Sequence, residues 1–188
     1  MNRIIPILVV LIGLVSCENY EFDLQGSSSE ASLYSSTIED DFKIYTYLPG
    51  NYDADREYPV IFLLDGDWYF EDFARELNDL ILDEQVEPSI LIGIGYSDNI
   101  NLNRFRDYTF PEDPEYDIVN GEADRFSQFL KEELVPKIEA DYSVDRSKMV
   151  LMGHSLGGLN TLYNMLQLDS PFMGYVAVSS SIWWSNGF

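Results

Sequence analysis

The pentapeptide Gly153-His154-Ser155-Leu156-Gly157 constrains this chain more than any other feature, because of what flanks it. An apolar run, Met149 to Met152, leads into it, and a helix-like stretch, Leu156 to Leu168, leads away. Between a strand and a helix, a G-x-S-x-G pattern forms a sharp, strained turn with the serine hydroxyl exposed at its crest. The glycines act sterically: without a Cβ they allow the tight turn and let strand and helix approach closely behind the serine. Ser155 is therefore the candidate nucleophile. The backbone N–H of Leu156, next in the chain and first in the helix, is a candidate oxyanion donor at the positive end of a helix dipole. His154, the only histidine in the chain, is turned away from the serine by its place on the same tight turn and is expected to be structural.

The rest of the chain supplies a frame for such a turn. Tyr58 to Leu64 and Ser89 to Ile94 are continuous apolar runs, the mark of strands buried on both faces. Phe42 to Leu48 alternates in part and ends at Pro49-Gly50, a strand running into a turn. Trp68 to Leu82 carries Phe70, Phe73, Leu77, Leu80 and Ile81 at helical spacing, and Ala123 to Ile138 does the same with Phe126, Phe129, Leu130, Leu134 and Ile138. The polar segment from Tyr96 to Val119 reads as a loop. Lys148 to Met152 and Met173 to Ser179 are the remaining strands. Apolar strands alternating with helices predict an α/β fold, a mostly parallel sheet with helices on both faces. The Ser155 turn narrows it to the α/β-hydrolase type. That fold carries its triad in the order Ser, then Asp or Glu, then His, and no histidine follows Ser155. The catalytic acid and base, together with the C-terminal strands, are expected beyond residue 188, so residues 32–188 read as a partial domain. As it stands, Met173 to Ser179 would form an open sheet edge.

The N-terminus reads as a targeting segment. Arg3 precedes the apolar run Ile4 to Val15, and small residues lead to Cys17. The run is shorter than the roughly 20 residues a membrane span needs. Leu14-Val15-Ser16-Cys17 resembles a bacterial lipobox, which implies a signal peptide over residues 1–16 and a lipid anchor on Cys17; an ordinary signal peptide is the alternative. The anchor would hold the domain at the bacterial cell envelope, on the periplasmic or the outer surface. Cys17 is the only cysteine, so once lipidated it leaves no thiol for disulfides, metal sites or catalysis. Residues 17–31 are polar, include Ser27-Ser28-Ser29, and read as a flexible tether. The formal net charge of −22, from 33 acidic against 11 basic residues, repels nucleic acid and anionic headgroups and argues against both as partners. Nothing in the sequence indicates a metal or an organic cofactor.

Four ordered segments resemble one family. They are Tyr142 through Gly158, spanning Asp145-Arg146 and the Ser155 turn; Pro59 through Asp67, ending Asp65-Gly66-Asp67; Arg104-Phe-Arg106-Asp107-Tyr108-Thr109; and Ser179-Ser-Ser181-Ile-Trp183-Trp184. From about Tyr34 onward the chain resembles the putative-esterase family of α/β-hydrolases, which includes esterase D and the enterochelin esterases. Phe110, between Thr109 and Pro111, departs from the family pattern. The resemblance implies a serine carboxylic-ester hydrolase acting on a small-molecule or glycan ester. It also implies a second oxyanion N–H from Gly66 or Asp67, although Asp67 could equally be a plain helix N-cap. Arg104 and Arg106 would rim the pocket, as substrate contacts or as a solvated surface pair with Asp107. Trp183 would meet substrate beyond a strand's C-terminal end, where open α/β sheets bind ligands, or else the Trp183-Trp184 pair covers the core. Two other readings stay open: a non-catalytic surface binding module on the same scaffold, and a peptidase.

Overall fold

The computed structural model describes residues 25–187. The expected signal peptide, the Cys17 lipidation site and the first part of the tether lie outside the described residues.

A six-stranded sheet in the order β1-β2-β4-β3-β5-β6 organises the chain. Four strands run parallel: β3 (Tyr58–Leu64), β4 (Ile90–Tyr96), β5 (Val144–His154) and β6 (Gly174–Val178). At one side β1 (Ser27–Ser35) and β2 (Asp40–Leu48) add an antiparallel hairpin, with β2 antiparallel to β4. The apolar runs are continuous because both faces are covered. Side chains alternate across a strand, so Val60, Phe62 and Leu64 join a core with Phe126, Phe129, Leu134 and Ile138. On the opposite face Leu63 and Leu91 pack with Phe70, Ala74 and Leu77 of α1 (Gly66–Leu82). The first core is roofed by α2 (Ile100–Tyr108), α3 (Ala123–Phe129), α4 (Val135–Asp141) and α5 (Leu156–Met165). This is the expected α/β arrangement, helices on both faces of a mostly parallel sheet.

The differences from the sequence reading have local causes. Helix α2 occupies the segment read as a loop; its buried positions are Asn103, Asp107 and Tyr108, so it lacks the apolar stripe that betrays a helix. The tether expected over residues 17–31 is corrected at its end: Ser27 to Ala31 belong to β1 and pair with Leu48 through Ile44. Their side chains stand mostly in solvent, and the backbone ladder holds them, which leaves no hydrophobic pattern to read. The helix expected to stop at Ile138 continues to Asp141 and contains a wider π turn, Leu130–Leu134, between α3 and α4. Pro136 lies two residues beyond its end; proline offers no N–H to the carbonyl four residues back and crowds it. Strand β5 starts four residues before Lys148, at Val144, and α5 ends at Met165 rather than Leu168. Among the described residues β6 is paired only to β5, the open edge anticipated from the sequence.

Phe62 is fully buried on the central strand β3, its ring edge-on to Phe172 at 5.3 Å. Phe62→Ala should cost about 3–5 kcal/mol through lost transfer energy and the cavity left behind. The urea unfolding midpoint measures this, and a loss below about 1 kcal/mol would mean that Phe62 is not at the centre of the core.

Candidate active site

At the C-terminal end of β5 the chain turns through Ser155 with φ 56° and ψ −115° and enters α5. A side-chain-bearing residue does not adopt this conformation without outside support, and the segment around the end of β6 provides it. The Ser155 N–H donates to the Val178 carbonyl at 3.0 Å, and the Ser155 carbonyl accepts from the N–H groups of Ser181 and Leu159, each at 3.0 Å. Two glycines make the approach possible. A Cβ on Gly153 would run into the Gly157 carbonyl, and one on Gly158 would sit 2.8 Å from Ser180 Oγ and 2.9 Å from the Val178 carbonyl. The Ser155 hydroxyl is half-buried and shares a 3.1 Å hydrogen bond with the hydroxyl of Ser181, itself buried. His154 is exposed, and its Nδ1 shares a 3.1 Å hydrogen bond with the Tyr69 hydroxyl of α1. It lines an apolar groove of about 210 Å³ with Leu63, Tyr69, Phe73 and Met152.

The end of β3 lies beside this turn. Asp65, at φ 60° and ψ 40°, is the residue before α1, and the Trp68 and Tyr69 N–H groups both bond its carbonyl, at 3.0 and 3.2 Å. The N–H groups of Gly66 and Asp67, at the first two positions of α1, have no acceptor within their helix, and neither does that of Leu156 in α5. The two helix starts adjoin: a Cβ at Gly157 would sit 3.1 Å from Asp65 Oδ2. Gly66 also lies flat on β4, where a Cβ would meet the Gly93 carbonyl carbon and the Ile94 nitrogen at 2.9 Å. Two positive helix ends thus lie close together at the turn that carries the serine, a setting suited to a developing negative charge. The alternative of Asp67 as an N-cap is corrected. The N-cap is Asp65, which makes no side-chain cap bond, and the Asp67 carboxylate accepts from the Tyr96 N–H and the Tyr45 hydroxyl, both at 2.8 Å. Burial, then this hydrogen bond to Asp67, pushes the Tyr45 hydroxyl well above the ordinary phenol value.

The arginines are engaged internally rather than forming a solvated surface pair, which corrects that alternative. Arg104 donates from Nε and Nη2 to the two carboxylate oxygens of Asp65 at 2.6 and 3.0 Å. Arg106 does the same to Asp107 at 2.7 and 2.9 Å, and donates from Nη1 to Asp40 at 2.8 Å. The side chains of Asp65 and Asp107 are 0% exposed, those of Arg104 and Arg106 11% and 16%. Burial pushes both carboxyls above their ordinary value, and the partner guanidinium opposes this without cancelling it. Asn160 of α5 donates to the Asp107 carbonyl at 3.1 Å, tying α2 to the helix behind the serine.

The tryptophan pair splits. Trp184 is fully buried, stacked on Tyr116 at 4.8 Å, with its indole N–H donating to the Pro111 carbonyl at 2.9 Å. Trp183 is 58% exposed and stands on the segment that carries Ser181. Two site residues had no role in the sequence reading. Ser181 and Asp65 each lay inside a quoted family segment, with no task of its own attached. Among the described residues no cluster of three or more His, Cys, Asp or Glu is placed to hold a metal ion.

Comparison with known proteins follows the same lines. Residues 35–187 match the model of a family described as putative esterase. The ferri-bacillibactin esterase BesA of Bacillus subtilis is 32% identical over 181 residues, which cover 85% of this chain and 61% of the relative. The apo-salmochelin esterase of Escherichia coli is 30% identical over 154 residues, 75% of this chain and 47% of the relative. The chain therefore spans about half to three-fifths of these curated relatives. A crystal structure of the BES protein from Bacillus cereus matches with a TM-score of 0.77 at 27% identity, over 99% of this chain and 68% of that one.

The strain at Ser155 has a measurable consequence. Glycine tolerates positive φ, so Ser155→Gly should raise stability by about 1 kcal/mol, the relieved strain less the lost hydroxyl bond. An unfolding midpoint at or below that of the parent would show that the turn stores no strain.

Proposed function

The chain belongs to the putative esterase family, and on that premise we propose that it is the nucleophile-bearing part of a serine carboxylic-ester hydrolase held at the cell envelope. The observation that carries the reading is the strained Ser155 turn, with its hydroxyl beside two helix starts. Ser155 Oγ attacks the ester carbonyl, the carbonyl π pair moves to oxygen, and the N–H groups of Leu156 and of Gly66 or Asp67 hold that oxyanion. The intermediate collapses by expelling the alcohol, and water then releases the acid from the serine. The serine proton goes to a histidine oriented by a carboxylate; the histidine returns it to the departing alcohol oxygen and then takes a proton from the attacking water. His154, bound by Tyr69, is unsuited to that task, and the greater length of the relatives supports a base and acid located further along the whole protein.

The substrate proposed is a siderophore-type ester. The support is that relatives sharing this framework are named for ferri-bacillibactin and apo-salmochelin. Exposed Trp183, two residues beyond the Ser181 that bonds the serine, also offers a ring face for stacking against an aromatic acyl group. In the full-length protein, Ser155→Ala should lower kcat by on the order of 10⁶ on p-nitrophenyl acetate and on a ferric catecholate siderophore ester alike. Equal rates would leave a non-catalytic binding module. Loss of the simple-ester activity alone would remove siderophores as substrates.

Anchoring rests on the lipobox-like Leu14-Val15-Ser16-Cys17. With lipid on Cys17, the full-length protein should sediment with membranes, and Cys17→Ala should move it to the soluble or secreted fraction. An unchanged distribution would rule the anchor out.

A further inference from the structure

Arg104 holds both ends of the turn that carries the candidate oxyanion donors. Its fork binds Asp65, the residue before Gly66 and Asp67, through two hydrogen bonds of 2.6 and 3.0 Å. Its planar face lies over the ring of Trp68, the residue after them, at 4.6 Å, and within 5.8 Å of the Tyr108 ring. Bidentate pairing and ring stacking each demand the planar guanidinium. The clamped residue needs holding, because Asp65 adopts a left-handed conformation, φ 60°, that a side chain disfavours by roughly 1–2 kcal/mol. The Asp65 carboxylate also reaches the first turn of α5 beside Gly157. One ion pair therefore joins the end of β3, the start of α1, the start of α5 and helix α2.

We propose that Arg104 is a positioning residue: by locking Asp65 and Trp68 it holds the Gly66 and Asp67 N–H groups against the ester oxyanion, and it neutralises a buried carboxylate that would otherwise repel that oxyanion. This rests on the esterase reading above. It differs from a substrate contact, since the Arg104 side chain is only 11% exposed and its guanidinium is engaged by edge and face. The charge matters because the carboxylate is buried between two helix starts, where an unpaired anion is costly and opposes any second negative charge. The titratable groups around Asp65 are Arg104 and Tyr108 of α2, Tyr96 of β4, Asp67 of α1 and His154 at the end of β5. Only Arg104 among them donates to its carboxylate. Burial already pushes the Asp65 carboxyl upward with Arg104 in place, so removing Arg104 moves it further up, toward the working pH.

The test uses the full-length protein and p-nitrophenyl acetate, with kcat and KM measured across pH. Arg104→Met should lower kcat about 100-fold, the scale of one lost oxyanion donor, with KM changed less than about threefold. The ratio of variant to parent kcat should rise as pH falls, because protonation removes the Asp65 charge; forming the ratio cancels the shared titration of the catalytic base. Asp65→Asn combined with Arg104→Met should recover about tenfold over Arg104→Met at neutral pH, and Arg104→Lys should lie between parent and Met variant. A rise in KM alone would make Arg104 a substrate contact and overturn the proposal. A flat pH ratio with no recovery in the double variant would reduce it to a packing residue and overturn it too. Should Arg104→Met fail to fold, as thermal unfolding reports, Arg104→Lys decides: full kcat in that variant overturns the clamp. Undiminished activity in Ser155→Ala defeats the esterase reading itself, whereas an inactive Ser155→Ala beside a fully active Arg104→Met defeats only the clamp.

Discussion

The architecture turns on how closely three pieces of backbone approach behind one serine. Strand β5, helix α5 and the segment after β6 meet where Gly153 and Gly158 leave no Cβ between them. That approach lets the Val178 carbonyl and the Ser181 N–H grip both sides of the Ser155 peptide unit. Without these partners the residue would relax out of its φ 56° conformation. The strain is thus sustained by backbone hydrogen bonds from a neighbouring strand end, and the reactive hydroxyl inherits its position from the sheet. A parallel sheet is the natural setting, because β3 and β5 end at the same side and deliver α1 and α5 there with their positive ends adjacent.

What was legible in the sequence follows from where the hydrophobic effect acts without competition. The strands of Val60 to Leu64 and Ile90 to Ile94 are buried on both faces, so their runs are unbroken. The stripe Phe70, Phe73, Leu77 marked α1 for the same reason. The elbow was legible because its geometry demands glycine at fixed positions. Elements held by other forces were not. Helix α2 buries Asp107 and Asn103, and its docking depends on Arg106 reaching Asp107 and Asp40; an ion pair between α2 and β2 leaves no periodicity to find. The first half of strand β1, Ser27 to Ala31, is held by a backbone ladder on a solvent-facing edge, and serines there look the same as serines in a tether.

Within the site the same division holds. Ser155 and Leu156 were assigned from the local pattern alone, whereas the roles of Arg104 and Asp65 emerged only from a pairing across 39 positions of chain. The family resemblance marked the Arg104 segment as part of the pocket without saying which way its side chains turned. Trp183 and Trp184 make the point in miniature. They are adjacent in sequence and chemically identical, yet one packs against Tyr116 in the interior and the other stands in solvent, because the turn after β6 places them on opposite sides.

The acidity of the protein sharpens the significance of these pairs. With 33 acidic residues against 11 basic ones, most carboxylates among the described residues find no cationic partner, and solvation suffices for those at the surface. Asp65 and Asp107 are different, being sealed from water, and each holds one arginine of α2 through a two-pronged contact. A buried ion pair is poor evidence of net stability, since desolvation offsets much of the attraction. Its value is directional: a carboxylate that must be satisfied by one guanidinium can be satisfied in only one arrangement of the surrounding backbone. Here that arrangement brings α2 against the ends of β3 and β4 and against α5, the junction at which Ser155 stands half-buried. A chain so short of cations places one of them, Arg104, on the residue that opens the candidate oxyanion turn, where orientation, rather than overall stability, is what an ion pair supplies best.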